Sequence, residues 1–108
     1  MVNEVIIQGR LCHDLILRYT ASANPKAICE FDIAHQEGYG DNASTNFIKA
    51  VAWEGTAEFV HRNFKKGEMM VITGSLQNKP FVDREGKTRN DYKVKVREVS
   101  FCGNGKGE

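Results

Sequence analysis

The sequence predicts an all-β domain: a small barrel of five strands with one α-helix between the third and the fourth. Three observations predict it. Apolar and polar residues alternate at a period of two through most of the chain. One stretch alone, just after Trp53, carries apolar residues at helical spacing. Clusters of Gly, Asn, Asp and Pro separate the runs.

The elements follow in order. Val5, Ile7, Gly9 and Leu11 alternate with Gln8 and Arg10 in the first strand. Ala27, Cys29, Phe31 and Ile33 alternate with Glu30 and Asp32 in the second. The third runs from Phe47 to Trp53. The helix follows, starting at Glu54-Gly55-Thr56, with Ala57, Val60 and Phe64 on one side. Arg62, Lys65 and Lys66 lie near its end, where cations suit the helix dipole, and Gly67 is the expected stop. Met69 to Leu76 is a nearly apolar fourth strand. Asp83-Arg84-Glu85-Gly86-Lys87, between Phe81 and Tyr92, is a hairpin tip. In the fifth strand Tyr92, Val94 and Val96 alternate with Lys93, Lys95 and Arg97, after which the phase changes to Val99 and Phe101. An extra residue would produce that change, so a bulge is expected near Arg97–Val99. Five strands, a helix between strands 3 and 4, and a long hairpin between strands 4 and 5 make the pattern of an OB-fold barrel. A different five-stranded barrel competes with it on pattern alone.

With 108 residues the chain fits one domain, expected over 1–102 with a flexible glycine-rich end at 103–108. No run is long and apolar enough to span a membrane. The start, Met1-Val2-Asn3-Glu4, has no basic leader, so a cytoplasmic protein is expected. Cys12, Cys29 and Cys102 lack framework or metal-ligand spacing, and with His13, His35 and His61 they form no paired ligand motif. Gly103 to Gly107 does not follow a strand into a helix, as a phosphate loop must. No nucleophile motif or nucleotide fingerprint occurs, so neither catalysis nor a cofactor is expected.

Charge and aromatics carry more. Residues 1–60 hold four basic against eight acidic side chains, and residues 62–97 hold ten against four. A local positive surface can therefore exist on a chain of net charge +1. In the third strand Phe47, Lys49, Val51 and Trp53 share one side, and Ile48, Ala50 and Ala52 share the other. Small apolar residues suit a barrel interior, so the first set is expected outside. Tyr39 lies in a glycine-rich loop and Phe81 beside Pro80 in the basic hairpin. Exposed aromatic faces among cations can stack bases and pair phosphates. Barrel packing or subunit contact are the alternatives for these rings. Phe31, Phe59, Phe64 and Phe101 fit core or helix packing.

The chain resembles the bacterial and phage-type single-stranded DNA-binding protein family along nearly its whole length. The resemblance rests on Asn3-x-Val5-x-x-x-Gly9-Arg10-Leu11, Asp14 to Thr20, Phe31-Asp32-Ile33-Ala34, Phe47 to Trp53, Ala57-Glu58, Lys65-Lys66-Gly67, Gly74-Ser75-Leu76, Phe81-x-Asp83 and Gly86-Lys87. It implies an OB-fold that binds single-stranded DNA without sequence preference and protects it during replication, recombination or repair. It implies stacking on Tyr39, Phe47, Trp53 and Phe81. Phosphate contacts are expected from Arg10, Arg18, Lys49 and Lys79, and from Arg84 and Lys87 of the hairpin. Gln77 stands where the family commonly has a cation. A homotetramer is implied, with a dimer as the alternative. A dimeric assembly scaffold of the same fold, like the primosomal replication proteins, is the competing function. The family's cellular members end in a linker and an acidic tip. This chain ends at Glu108 with neither, so protein partners of such a tip are not expected.

Overall fold

The computed structural model describes residues 1–102. The flexible end expected at 103–108 lies outside the described residues. Five long strands form the barrel: β1 (Val5–Leu11), β3 (Ala27–Glu37), β4 (Ser44–Trp53), β5 (Met69–Asn78) and β8 (Tyr92–Phe101). A short β2 (Arg18–Tyr19) extends β3 sideways. The helix α1 (Glu54–Asn63) sits between β4 and β5, and β6 (Phe81–Val82) with β7 (Thr88–Arg89) forms a separate two-stranded hairpin.

The order across the sheet is β1-β5-β8-β4-β3, and β3 pairs back onto β1 through Ala34 with Arg10 and Ile33 with Leu11. That pairing closes the barrel. β4 and β8 run parallel, and the other long pairs are antiparallel. This closed order, with the helix bridging the third and fourth long strands, is the OB-fold.

Period-two patterning explains the interior. Leu11, Cys29, Phe31, Ile33, Ala50, Ala52, Met70, Ile72, Val94 and Val96 are buried. Ala57 and Val60 of α1, together with Phe64, close one end of that core. In β4 the small Ala50 and Ala52 leave room for the ring of Phe31 on the neighbouring strand, which pairs with Ala50.

The phase change in β8 is a bulge. Glu98 faces Thr73, but Val96 faces Gly74, so Arg97 has no partner across the ladder. Gly74 is required at that point. A Cβ there would lie 2.0 Å from the carbonyl oxygen of Lys95.

The helix departs from expectation at its end. It stops at Asn63, and Phe64 is extended, with φ −127° and ψ 144°. Its N–H still bonds the Val60 carbonyl, and Asn63 Nδ2 donates to the Phe59 carbonyl. Leaving the helix turns the Phe64 ring onto Phe101, stacked at 4.9 Å, with Phe59 against both edges. Lys65 and Lys66 therefore lie in the turn that follows, not in the helix. Burial of the Phe64 ring outweighs one more helical turn.

Candidate nucleic-acid interface

The outer side of β4 is the centre of the candidate site. Phe47 is 70% exposed, Lys49 is exposed and Trp53 is half-buried, as alternation requires. Val51 departs from the expected outward set, being only 4% exposed. It sits in register between Glu30 of β3 and Lys95 of β8. On a strand with neighbours on both sides, longer side chains cover a small one even on the outer face.

Beside Trp53 lies a cleft of about 590 Å³, lined by Arg18, Ile28, Glu30, Val51, Trp53, Gln77, Asn78, Lys79 and Lys93. The buried Ile28 pairs with Trp53 across the ladder, so Ile28 and Val51 make an apolar floor next to the indole. Cations rim it. Arg18 Nη2 donates to Glu30 Oε1 at 2.6 Å, and Lys93 Nζ lies 3.6 Å from Glu30 Oε2. The hydrogen bond from Arg18, helped by the charges of Arg18 and Lys93, holds the Glu30 carboxyl below its ordinary range against a smaller opposing effect of partial burial.

Glu30 also lines a second cleft, of about 280 Å³, with His13, Phe31, Asp32, Lys49, Ala50, Asp91 and Lys93. Lys49 Nζ donates to Asp91 Oδ1 at 3.0 Å, and that bond raises the lysine's pKa. Asp32 stands opposite Lys49 in register. Beyond it Phe47 pairs with Ala34, which lines a third cleft of about 380 Å³ with Arg10 and Thr45. Arg10 Nη1 donates to the Gly67 carbonyl at 2.9 Å. Trp53, Lys49 and Phe47 thus lie along one outer track on β4, and Arg10 adjoins its Phe47 end through Ala34, which pairs with both. From Trp53 to Phe47 the track is about 20 Å long at strand rise.

Tyr39 is 91% exposed in the loop between β3 and β4. Phe81 is 51% exposed on β6. Arg84 and Lys87 flank the hairpin turn, where Gly86 has φ +81° and Asp83 Oδ1 accepts from the Glu85 and Lys87 N–H groups. Arg89 Nε donates to Asp83 Oδ2 at 2.7 Å, and that bond chiefly lowers the Asp83 pKa. The side chains of Lys79, Arg84 and Lys87 have no polar partner among the described residues. Lys79 lines the Trp53 cleft, whereas Tyr39, Phe47, Phe81, Arg84 and Lys87 line none of the three clefts.

Residue patterning alone missed Lys93, Ile28 and Glu30 as parts of the site, and it placed Val51 on the outer side without its burial. The outward phase of β8 does place Lys93 outside. Its meeting with Glu30 depends on the parallel β4–β8 pairing, which no local pattern encodes. Among the described residues no cluster of His, Cys, Asp and Glu could hold a metal ion, and no helix is long and apolar enough to cross a membrane. Cys29 is buried, and burial raises the pKa of its thiol and that of Cys12.

Comparison with known proteins gives a consistent result. The model of the "Single-strand binding protein family" matches residues 2–102. The "Single-stranded DNA-binding protein" of Caldanaerobacter subterraneus is 34% identical over 104 residues, covering 94% of this chain and 68% of that protein. The protein of that name from Oceanobacillus iheyensis is 35% identical, covering 94% of this chain and 63% of its own length. That from Bacillus cereus is 34% identical over 113 residues, covering the whole of this chain and 65% of its own. The chain spans about two thirds of the length of these curated relatives.

Proposed function

The chain belongs to the single-strand binding protein family, and from that premise we propose that it binds single-stranded DNA without sequence preference and protects it during replication, recombination or repair, with no catalysis of its own. The observation that carries the reading is the outer side of β4: a row of two aromatic rings and a lysine, beside a cleft rimmed by Arg18, Lys79 and Lys93.

In this reading a base stacks on Trp53, which the apolar floor of Ile28 and Val51 keeps in place. Further bases stack on Phe47, Tyr39 and Phe81. Each such stack contributes about 1–3 kcal/mol and tolerates any base, because every base has a flat face. Arg10, Arg18, Lys49, Lys79, Arg84 and Lys87 pair with phosphates and release counterions. The protein acts in the cytoplasm. It assembles as a homotetramer, with a dimer as the alternative. Support for assembly comes from β1, whose second edge pairs with β3 only at Arg10 and Leu11 and leaves exposed Ile6 on an open edge strand.

The test uses the sole tryptophan. Titration with oligo-dT should quench Trp53 fluorescence strongly at low salt and progressively less as salt rises. An unchanged signal at low salt defeats the reading. Light scattering on the same samples separates the assemblies: a tetramer supports wrapping of the strand, and a dimer favours the scaffold alternative.

A further inference from the structure

Base stacking and phosphate pairing leave the acidic side chains of the track without a role. Glu30 is the most central of them. It projects from β3 between the Trp53 cleft and the Lys49 cleft and lines both. Its two carboxylate oxygens are divided between two cations, Oε1 on Arg18 and Oε2 on Lys93. A phosphate entering beside Trp53 needs the same two cations. It presents the same chemistry, a charged oxygen pair, to the same donors.

We propose that Glu30 is the affinity-setting residue of this groove: its carboxylate fills the phosphate position between Arg18 and Lys93, and a strand must displace it to use them. The proposal rests on the single-stranded DNA reading and sharpens it. Binding at this point is an exchange of one anion for another. Arg18 and Lys93 arrive already neutralised, so they release fewer counterions than unpaired cations would. Glu30 is half-exposed, which lets it swing away into water at modest cost. The same carboxylate keeps the two cations pointed into the cleft, so the groove is ordered before the strand arrives. The groove therefore trades strength of holding for ready release.

The test compares the full chain with Glu30→Gln, which keeps the shape of the side chain and removes its charge. Labelled oligo-dT is followed by fluorescence anisotropy over a series of salt concentrations. Glu30→Gln should bind tighter by a factor of about five, the scale of one surface ion pair. Its salt dependence should steepen by about 0.7 in the log–log slope for each additional phosphate neutralised. Glu58→Gln, on the exposed side of α1, removes an equal charge elsewhere and should change neither. In an Arg18→Gln background the gain from Glu30→Gln should shrink, because a released cation is then missing.

Unchanged or weaker binding by Glu30→Gln overturns the proposal. So does an equal gain from Glu58→Gln, or a gain that persists undiminished without Arg18; either would mark a bulk charge effect. If Glu30→Gln does not fold, Glu30→Asp withdraws the carboxylate from Lys93, and binding no tighter than wild type then counts against the proposal. A wild-type chain that leaves oligo-dT unbound at low salt is a different failure. It removes the binding reading itself.

Discussion

The barrel groove and the β6–β7 hairpin both carry cations, but they hold them differently. In the barrel Arg10, Arg18, Lys49 and Lys93 each have a partner: a carbonyl of Gly67 or the carboxylates of Glu30 and Asp91. On the hairpin Arg84 and Lys87 have no side-chain partner among the described residues and only Arg89 is tied, to Asp83; Lys79, which lines the Trp53 cleft where β5 leads toward the hairpin, is likewise unpaired. The groove cations sit on a closed barrel above a packed core. β6 and β7 pair only with each other. Paired cations on a rigid floor are ordered and partly neutralised. Unpaired cations on a hairpin keep their full field and their freedom. The first arrangement suits a defined stacking geometry, and the second suits attraction of a polyanion from a distance.

The largest expected effect tests whether the groove owes its rigidity to the barrel core. Ile72 is fully buried on β5, and Ile72→Ala should cost about 2–5 kcal/mol in urea unfolding. Replacing Lys79, Arg84 and Lys87 together by Gln should leave stability within about 0.5 kcal/mol, since their side chains have no polar partner among the described residues. A triple variant as destabilised as Ile72→Ala would erase the distinction between the two regions.

Next comes the stacking platform. Trp53→Ala should weaken oligo-dT binding by about 1–3 kcal/mol, read with a labelled strand because the intrinsic fluorophore is gone. Circular dichroism should show the fold retained, since the indole lies on the outer face and Ala52 and Ala50 face the core. Phe81→Ala, which removes a more exposed ring on the separate β6–β7 hairpin, should lose less. Equal losses would mean that the floor of Ile28 and Val51 contributes nothing to stacking.

How much of this was legible beforehand depends on the range of the information. Alternation in β1, β3, β4 and β8 is local and gave the strands, and the lost phase at Arg97 gave the bulge. The turn at Gly86 was legible for the same reason. The end of the helix was not, because Phe64 leaves it for a stack with Phe101, 37 positions along the chain. In the site, the outward placement of Phe47 and Trp53 could be read from β4 alone. The burial of Val51 could not, because it depends on Glu30 and Lys95 from two other strands. The pairing of Arg18 and Lys93 through Glu30 joins residues of three strands, and no spacing rule connects them.

Salt dependence separates the two regions more finely. If Lys79, Arg84 and Lys87 meet phosphates while unpaired, their triple variant should lower the log–log salt slope by about 0.7 for each phosphate left unneutralised, about 2 in all. Arg18→Gln should lower it by less than one such step, because Arg18 exchanges a carboxylate for a phosphate. Equal slope changes per cation would show that pairing in the groove has no bearing on counterion release.

The smallest effect is on stability against pH, and it isolates the ion pairs of the groove. The Glu30 carboxyl is held below its ordinary 4.5 in the folded chain, chiefly by the hydrogen bond from Arg18. A carboxylate depressed in this way stabilises the fold above its unfolded value, and the contribution is lost as pH falls through the folded value. Wild type should therefore exceed Glu30→Gln in stability most clearly near neutrality, and the two should converge in acid below the ordinary glutamate range. The pair is about half-exposed, so solvent screening limits the difference to at most about 1 kcal/mol. Urea unfolding of both proteins across that range reads it directly. A gap that widens on acidification would have the wrong sign for a carboxylate held by Arg18 and Lys93. It would place the stabilising interaction of Glu30 in its protonated form, contrary to the geometry of the groove.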